Sequence, residues 1–156
     1  MSLTFDLVRG GGLTVATEYI EFQLTTTPEI VALDNDGVTY VKIPNMVAGL
    51  KTAGFDVVTD SVVYQGTPGT FVINGTSDLD ANKAIEVSYA LFINDTLIPG
   101  EITSHTFTAS SKLENISITS IANLATGDIL DIRAKSDGTA SSSITVNKLD
   151  LTLVRL

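Results

Sequence analysis

The chain has no cysteine and no tryptophan, and its only histidine is His105. Without thiols there is neither a disulfide framework nor a metal–thiolate centre, so the fold must rest on packing alone. Basic residues are scarce as well, with 9 Lys and Arg against 18 Asp and Glu and a formal net charge of -9. The few cations are scattered, so no stripe exists to displace counterions from phosphates, which excludes a nucleic-acid partner at this level of reading. No apolar run reaches the ~20 residues of a membrane-spanning helix, and Met1-Ser2-Leu3-Thr4-Phe5-Asp6 lacks the basic start and apolar core of an export signal. The expectation is a chain made in the cytoplasm, without a membrane partner and without a cofactor.

What the chain does have is hydroxyls and alternation. Ser and Thr supply roughly a fifth of the residues while charged side chains make up only 17%, a bias suited to strands that show one face to water through hydroxyls. From Ala84 onward, strand patterns follow one another with no helical period. Ile85, Val87, Tyr89, Leu91 and Ile93 alternate with smaller or polar residues, placing the large apolar groups on one face. Asn94-Asp95 then reverses the chain. Ile102 to Phe107, Ile116 to Leu124, Ile129 to Ala134 and Ile144 to Leu156 repeat the pattern, separated by Ser110-Ser111, Thr126-Gly127-Asp128 and Ser136-Asp137-Gly138, all good turn formers. The fold class is therefore all-β, an antiparallel sandwich.

The last of these strands carries an irregularity. Ile144 and Val146 are even-numbered, whereas Leu149, Leu151 and Leu153 are odd. A β-bulge around Asn147-Lys148 would switch the inward face, since one extra residue shifts the two-residue period; the alternative is a strand buried on both faces. Leu149, Leu151 and Leu153 are thus expected on a strand central to the core or to a subunit contact.

The first 60 residues read differently. Leu3, Phe5 and Leu7 alternate ahead of Gly10-Gly11-Gly12, a hinge or close-approach point, and a second extended run covers Leu13 to Leu24. Ile30 to Leu33 and Val38 to Ile43 read as a hairpin around Asp34-Asn35-Asp36-Gly37. Pro44 to Gly54 is the one helix candidate, because Pro44 suits a first turn and Met46, Val47 and Leu50 fall at helical spacing. Phe55 to Val58, Ser61 to Tyr64 and Thr70 to Ile73 resume strand character.

Candidates for chemistry are few. His105 would have to serve any Ser-His-Asp hydrolase, yet it lies in Thr103-Ser104-His105-Thr106-Phe107 and no Gly-x-Ser-x-Gly exists; a solvent-facing ring is expected. Glu86, Glu101 and Asp131 are expected to be solvated charges on strand faces or loops, not a glycosidase pair. Asp34 and Asp36 invite a Ca²⁺ loop, but Asn45 stands where the closing Glu of an EF-hand would be, so a turn is the reading. Asp78 and Asp80 receive the same reading. The three sequons at Asn74, Asn94 and Asn115 are taken as chance in a Ser/Thr-rich chain.

Tyr89-Ala90-Leu91-Phe92-Ile93-Asn94-Asp95-Thr96-Leu97-Ile98-Pro99-Gly100, then Phe107-Thr108, then Ile116-Ser117-Ile118 with Leu124 to Arg133, then the closing Leu151-Thr152-Leu153-Val154-Arg155-Leu156, resemble the trimeric jelly-roll domains of the tumour necrosis factor type. These occur on bacterial collagen-like surface proteins and in phage head-decoration and fibre proteins. The resemblance covers about residues 70–156, and implies a homotrimer without catalysis. It leads to a two-part expectation: 1–60 as an N-terminal β arm or small β subdomain for attachment, and 61–156 as a jelly-roll trimerisation domain. Function is then expected at a phage virion surface, as a capsid-decoration or head-fibre protein bound to the major capsid protein or another virion protein, with Leu3, Phe5, Leu7, Gly10, Gly11 and Gly12 as the capsid-binding residues. The alternative is the receptor-binding tip of a tail fibre, holding a host glycan.

Overall fold

The computed structural model describes residues 18–24, 28–108 and 113–156, apart from the side chains of residues 100 and 101. Twelve strands are formed within these: β1 Tyr19–Leu24, β2 Glu29–Ala32, β3 Val41–Lys42, β4 Met46–Lys51, β5 Phe55–Val58, β6 Ser61–Tyr64, β7 Gly69–Ala81, β8 Ile85–Ile93, β9 Thr96–Phe107, β10 Glu114–Leu124, β11 Ile129–Ser136 and β12 Ser143–Arg155. They make two six-stranded antiparallel sheets. The first runs β10-β7-β12-β1-β4 with β2 also on β12; the second runs β5-β6-β11-β8-β9 with β3 also on β11. The strands of the C-terminal half appear as the alternation requires, and Asn94 and Asp95 close the β8–β9 hairpin at φ of 50° and 62°, the geometry of a two-residue turn matched to strand twist.

The inner faces interlock into one core. Ile20, Phe22, Phe71, Ile73, Leu151 and Leu153 from the first sheet meet Val87, Tyr89, Leu91, Leu130 and Ile132 from the second, all buried. Phe55, Tyr64 and Phe71 close one end, with ring centroids 5.0 to 5.6 Å apart, in edge and tilted contacts that aromatic quadrupoles favour. The bulge lies in β12, where the register with β7 shifts between Val146 and Lys148. Ile144 and Val146 on one side of it and Leu149, Leu151 and Leu153 on the other all point inward. Gly75, opposite Leu151 in β7, is needed for this approach. A Cβ there would lie 2.3 Å from Leu151 Cδ2 and 2.5 Å from the Asp150 carbonyl oxygen.

Four expectations are corrected. Pro44–Gly54 is not helical: Met46–Lys51 is a strand on the first sheet, with Leu24 opposite Met46 and Phe22 opposite Ala48. Leu50, which completed the helical spacing, is 61% exposed. The segment 30–43 is not a hairpin, because β2 pairs with β12 in one sheet and β3 with β11 in the other. Asp34 to Gly37 do form a turn, but one that carries the chain across the sandwich, its Asp34 carbonyl accepting from the Ser136 hydroxyl and its Asn35 Oδ1 from the Ser141 N–H. Asp78 and Asp80 do not lie in a turn either; they project from the long β7, accepting from the amides of Asn115 and Asn147 at 2.6 and 3.0 Å. Finally, a boundary at residue 60 falls inside the β5–β6 hairpin. Residues 19–58 belong to the same two sheets as 61–156, because β12 cannot be sealed on its far side without β1 and β2.

Candidate functional site

Leu149, Leu151 and Leu153 lie in the sandwich interior, so their side chains are unavailable to a partner. Leu3, Phe5, Leu7, Gly10, Gly11 and Gly12 lie outside the described residues, as does the side chain of Glu101. Glu86 is exposed, as expected of a strand-face charge. His105 is half-buried rather than solvent-facing: its ring packs on Phe107 at 4.9 Å, and Nε2 lies 3.8 Å from a Glu114 carboxylate oxygen. Asp36 spends its carboxylate on its own turn, accepting from the N–H groups of Val38 and Thr39 at 2.8 and 2.7 Å. Among the described residues no group of three or more His, Asp or Glu is placed to hold a metal.

Asp131 overturns its expectation. It is 2% exposed on the outward face of β11, where Asp131, Arg133 and Lys135 alternate with the inward Leu130, Ile132 and Ala134. Arg133 grips it with two donors, Nε at 2.6 Å and an amino group at 2.9 Å, and Lys42 Nζ from β3 closes at 3.0 Å. A lone buried carboxylate would be prohibitive; two cations and a fork geometry make it tolerable. The same guanidinium lies 4.3 Å over the Phe92 ring and bonds Asp95 in the β8–β9 turn, holding the Asp95 carboxyl below its ordinary range. The hydrogen bond to Asp131 in turn raises the Arg133 guanidinium above its own.

Beside this cluster the outward face of the second sheet has a hollow of about 280 Å³, lined by Lys42, Val58, Thr59, Ser61, Asn94, Asp95, Ile129 and Asp131. Two turns contribute to it, Thr59-Asp60 through Thr59 and Asn94-Asp95 through both residues. Each has two residues at positive φ, and Thr59, at 32°, is β-branched, which makes its backbone strained. The alternation in Asp131-Ile132-Arg133-Ala134-Lys135 was the only signal in the sequence for this cluster. Lys42 carried none, since it arrives from another strand.

A second polar group ties the chain's described ends together. The Tyr64 hydroxyl donates to Glu18 Oε2 at 2.6 Å, and Arg155 donates to the same oxygen at 2.6 Å and to the Pro68 carbonyl at 3.1 Å. Burial, then Glu18, push the Tyr64 phenol up to about 12. A phenol raised in the folded state keeps its proton when the unfolded one, near 10, has lost it, so this contribution to stability is complete below about pH 10 and disappears as pH climbs toward 12. Chemical denaturation across that range should show a falling midpoint, and Tyr64→Phe should flatten the fall while costing about 1–2 kcal/mol at neutral pH.

The outward face of the first sheet is mostly polar, with isolated apolar groups such as Ile30 on β2 and Val47 on β4, but one apolar row crosses four adjacent strands. Tyr19 is opposite Val154, Val154 opposite Val72, and Val72 opposite Ile121; their sequence neighbours Ile20, Leu153, Ile73 and Ala122 point inward. Ile121 is 61% exposed, and Leu156, next to the row, 75%. The following rows are hydrophilic: Glu21, Thr152, Asn74 and Thr119, then Gln23, Asp150, Thr76 and Ser117.

No protein-family model matches the sequence, and no curated protein matches it. The fold does have counterparts among solved structures. It is similar to that of Eiger TNF from S. frugiperda, with 16% identity over 90% of this chain and 92% of that one and a TM-score of 0.60. It is likewise similar to murine APRIL at pH 5.0, with 11% identity over 90% of this chain and 99% of that one and a TM-score of 0.59. The described residues fold as a tumour-necrosis-factor-like jelly roll, and the likeness covers 90% of the chain, well beyond the 70–156 that the resemblance covered.

Proposed function

We propose that this chain is a binding protein of a phage virion surface, a capsid-decoration or head-fibre protein that works as a homotrimer and attaches through its N-terminal segment. The observation that carries the self-association is the row Tyr19, Val154, Val72 and Ile121, continuous across four strands of a mostly polar sheet face. Apolar groups lined up across four strands, with polar side chains in the next two rows of the same strands, suit a contact between identical copies better than a solvated surface. Support for binding over catalysis comes from four of the described acids, Asp36, Asp78, Asp80 and Asp131, each committed to structural hydrogen bonds. Three linked copies would multiply weak contacts to a repeating lattice through effective concentration.

The test has two arms. Light scattering at micromolar concentration should give a trimer, and Ile121→Asp should convert it to monomer, because the substitution sets a charge in the buried band while leaving the sandwich core untouched. Deleting residues 1–12 should then abolish binding to particles without changing the trimer. A monomeric wild type overturns the first half of the reading, and wild-type occupancy of particles by the truncated trimer overturns the second.

A further inference from the structure

The hollow on the second sheet is absorbed neither by the trimer contact nor by the attachment segment, since it lies on the opposite face of the sandwich from the apolar row. We propose that it is a binding site for one neutral, hexopyranose-sized sugar unit. Its volume of about 280 Å³ falls at the bottom of the range for drug-sized ligands, room for one ring and little more.

Charge selects the ligand class. Lys42 and Arg133 are balanced by Asp131 and Asp95, so the site offers an ion no net attraction, while its individual donors and acceptors remain strong. Two of the three Lys42 ammonium protons are taken by Asp131 at 3.0 Å and Ser61 Oγ at 2.9 Å; one is left, on a side chain 37% exposed. Asp95 gives one oxygen to Arg133 and is otherwise open, its side chain 86% exposed. A free donor and a free acceptor lining the same hollow are what the hydroxyls of one sugar ring require, one accepting from Lys42 and another donating to Asp95. Asn94 has a positioning part. Its amide donates one N–H to Asp128 and accepts from the Ile129 N–H, which fixes the turn that presents Asp95.

The apolar lining completes the match. Val58 and Ile129 are 47% and 40% exposed, a pair of aliphatic groups suited to the C–H face of a pyranose. Thr59 holds a backbone conformation that β-branched residues avoid, strain of a kind concentrated at ligand sites. The site is preorganised because Asp131, itself buried, sets both Lys42 and Arg133 from below. It holds whether the protein stands on a head or at a fibre tip, and so stands apart from the trimer and attachment readings.

The experiment is a titration of the full-length protein with a panel of methyl hexopyranosides, followed by amide NMR shifts, and in parallel with oligosaccharides ending in the same units. At least one sugar should give saturable shifts confined to residues 58–61, 94–95 and 129–131, with a Kd on the order of 1–10 mM. Asp95→Ala should weaken it about tenfold or more, and Val58→Glu should abolish it; both positions are exposed, so thermal melts should confirm an intact fold. A terminal unit of a longer glycan would bind with similar or higher affinity, free sugar alone with the lower. Absence of saturable shifts with every sugar overturns the proposal, as does binding unchanged by Asp95→Ala or confined to oligosaccharides.

Discussion

Asp131→Ala is expected to destabilise the protein by roughly 3–5 kcal/mol, although the substitution removes a charge from a chain already strongly acidic. The cost arises from what remains. Arg133, with a side chain 15% exposed, loses both of its short bonds to Asp131, and Lys42 loses its closest anion. Neither cation can turn fully to water without breaking its packing, Arg133 against Phe92 and Lys42 against Ser61. The double change Asp131→Leu with Arg133→Met should recover much of the loss, because replacing a buried ion pair by apolar groups of similar volume is often neutral. Urea midpoints at a fixed protein concentration check both, concentration mattering for any oligomer. Equal stability of Asp131→Ala and wild type would mean that the cluster is solvated in practice.

Leu153→Ala should cost roughly 2–5 kcal/mol, from lost transfer energy and from the cavity left between two rigid sheets. Leu153 is fully buried and faces Ile20 on one neighbouring strand and Ile73 on the other, so little can move in to fill the space. Val154→Ala, one residue on but pointing outward, should leave the intrinsic stability of the sandwich within about 0.5 kcal/mol while weakening self-association. A single pair of adjacent substitutions thus separates core from contact. Similar loss of midpoint in both would contradict the alternation in β12.

The strands from Ile85 onward were legible in the sequence because a half-buried strand writes its two faces as alternation, and Ile85 to Leu91 and the leucines of β12 do so, as does Ile116 to Leu124 apart from Ser120, which is buried, and Ile121, which is exposed. The bulge was legible for the same reason, as a change of parity between Val146 and Leu149. Met46 to Lys51 was not, because a short edge strand next to Pro44 needs only Met46 and Ala48 on its inner side, and three apolar residues in six fit a helix as well. Ile30 to Ile43 misled in another way: adjacency in sequence suggests pairing, but β2 pairs with the long β12 and β3 with β11, in different sheets. The class of the fold and the parity of its major strands were therefore determined by the chain's own pattern, which needs only neighbours along the strand to declare itself. Which strands share a sheet, why Gly75 must be glycine beneath Leu151, and how Lys42, Asp131, Arg133 and Asp95 come to neutralise one another were decided by the tertiary structure alone, since charges and contacts between distant strands depend on register across space and leave no period in the sequence.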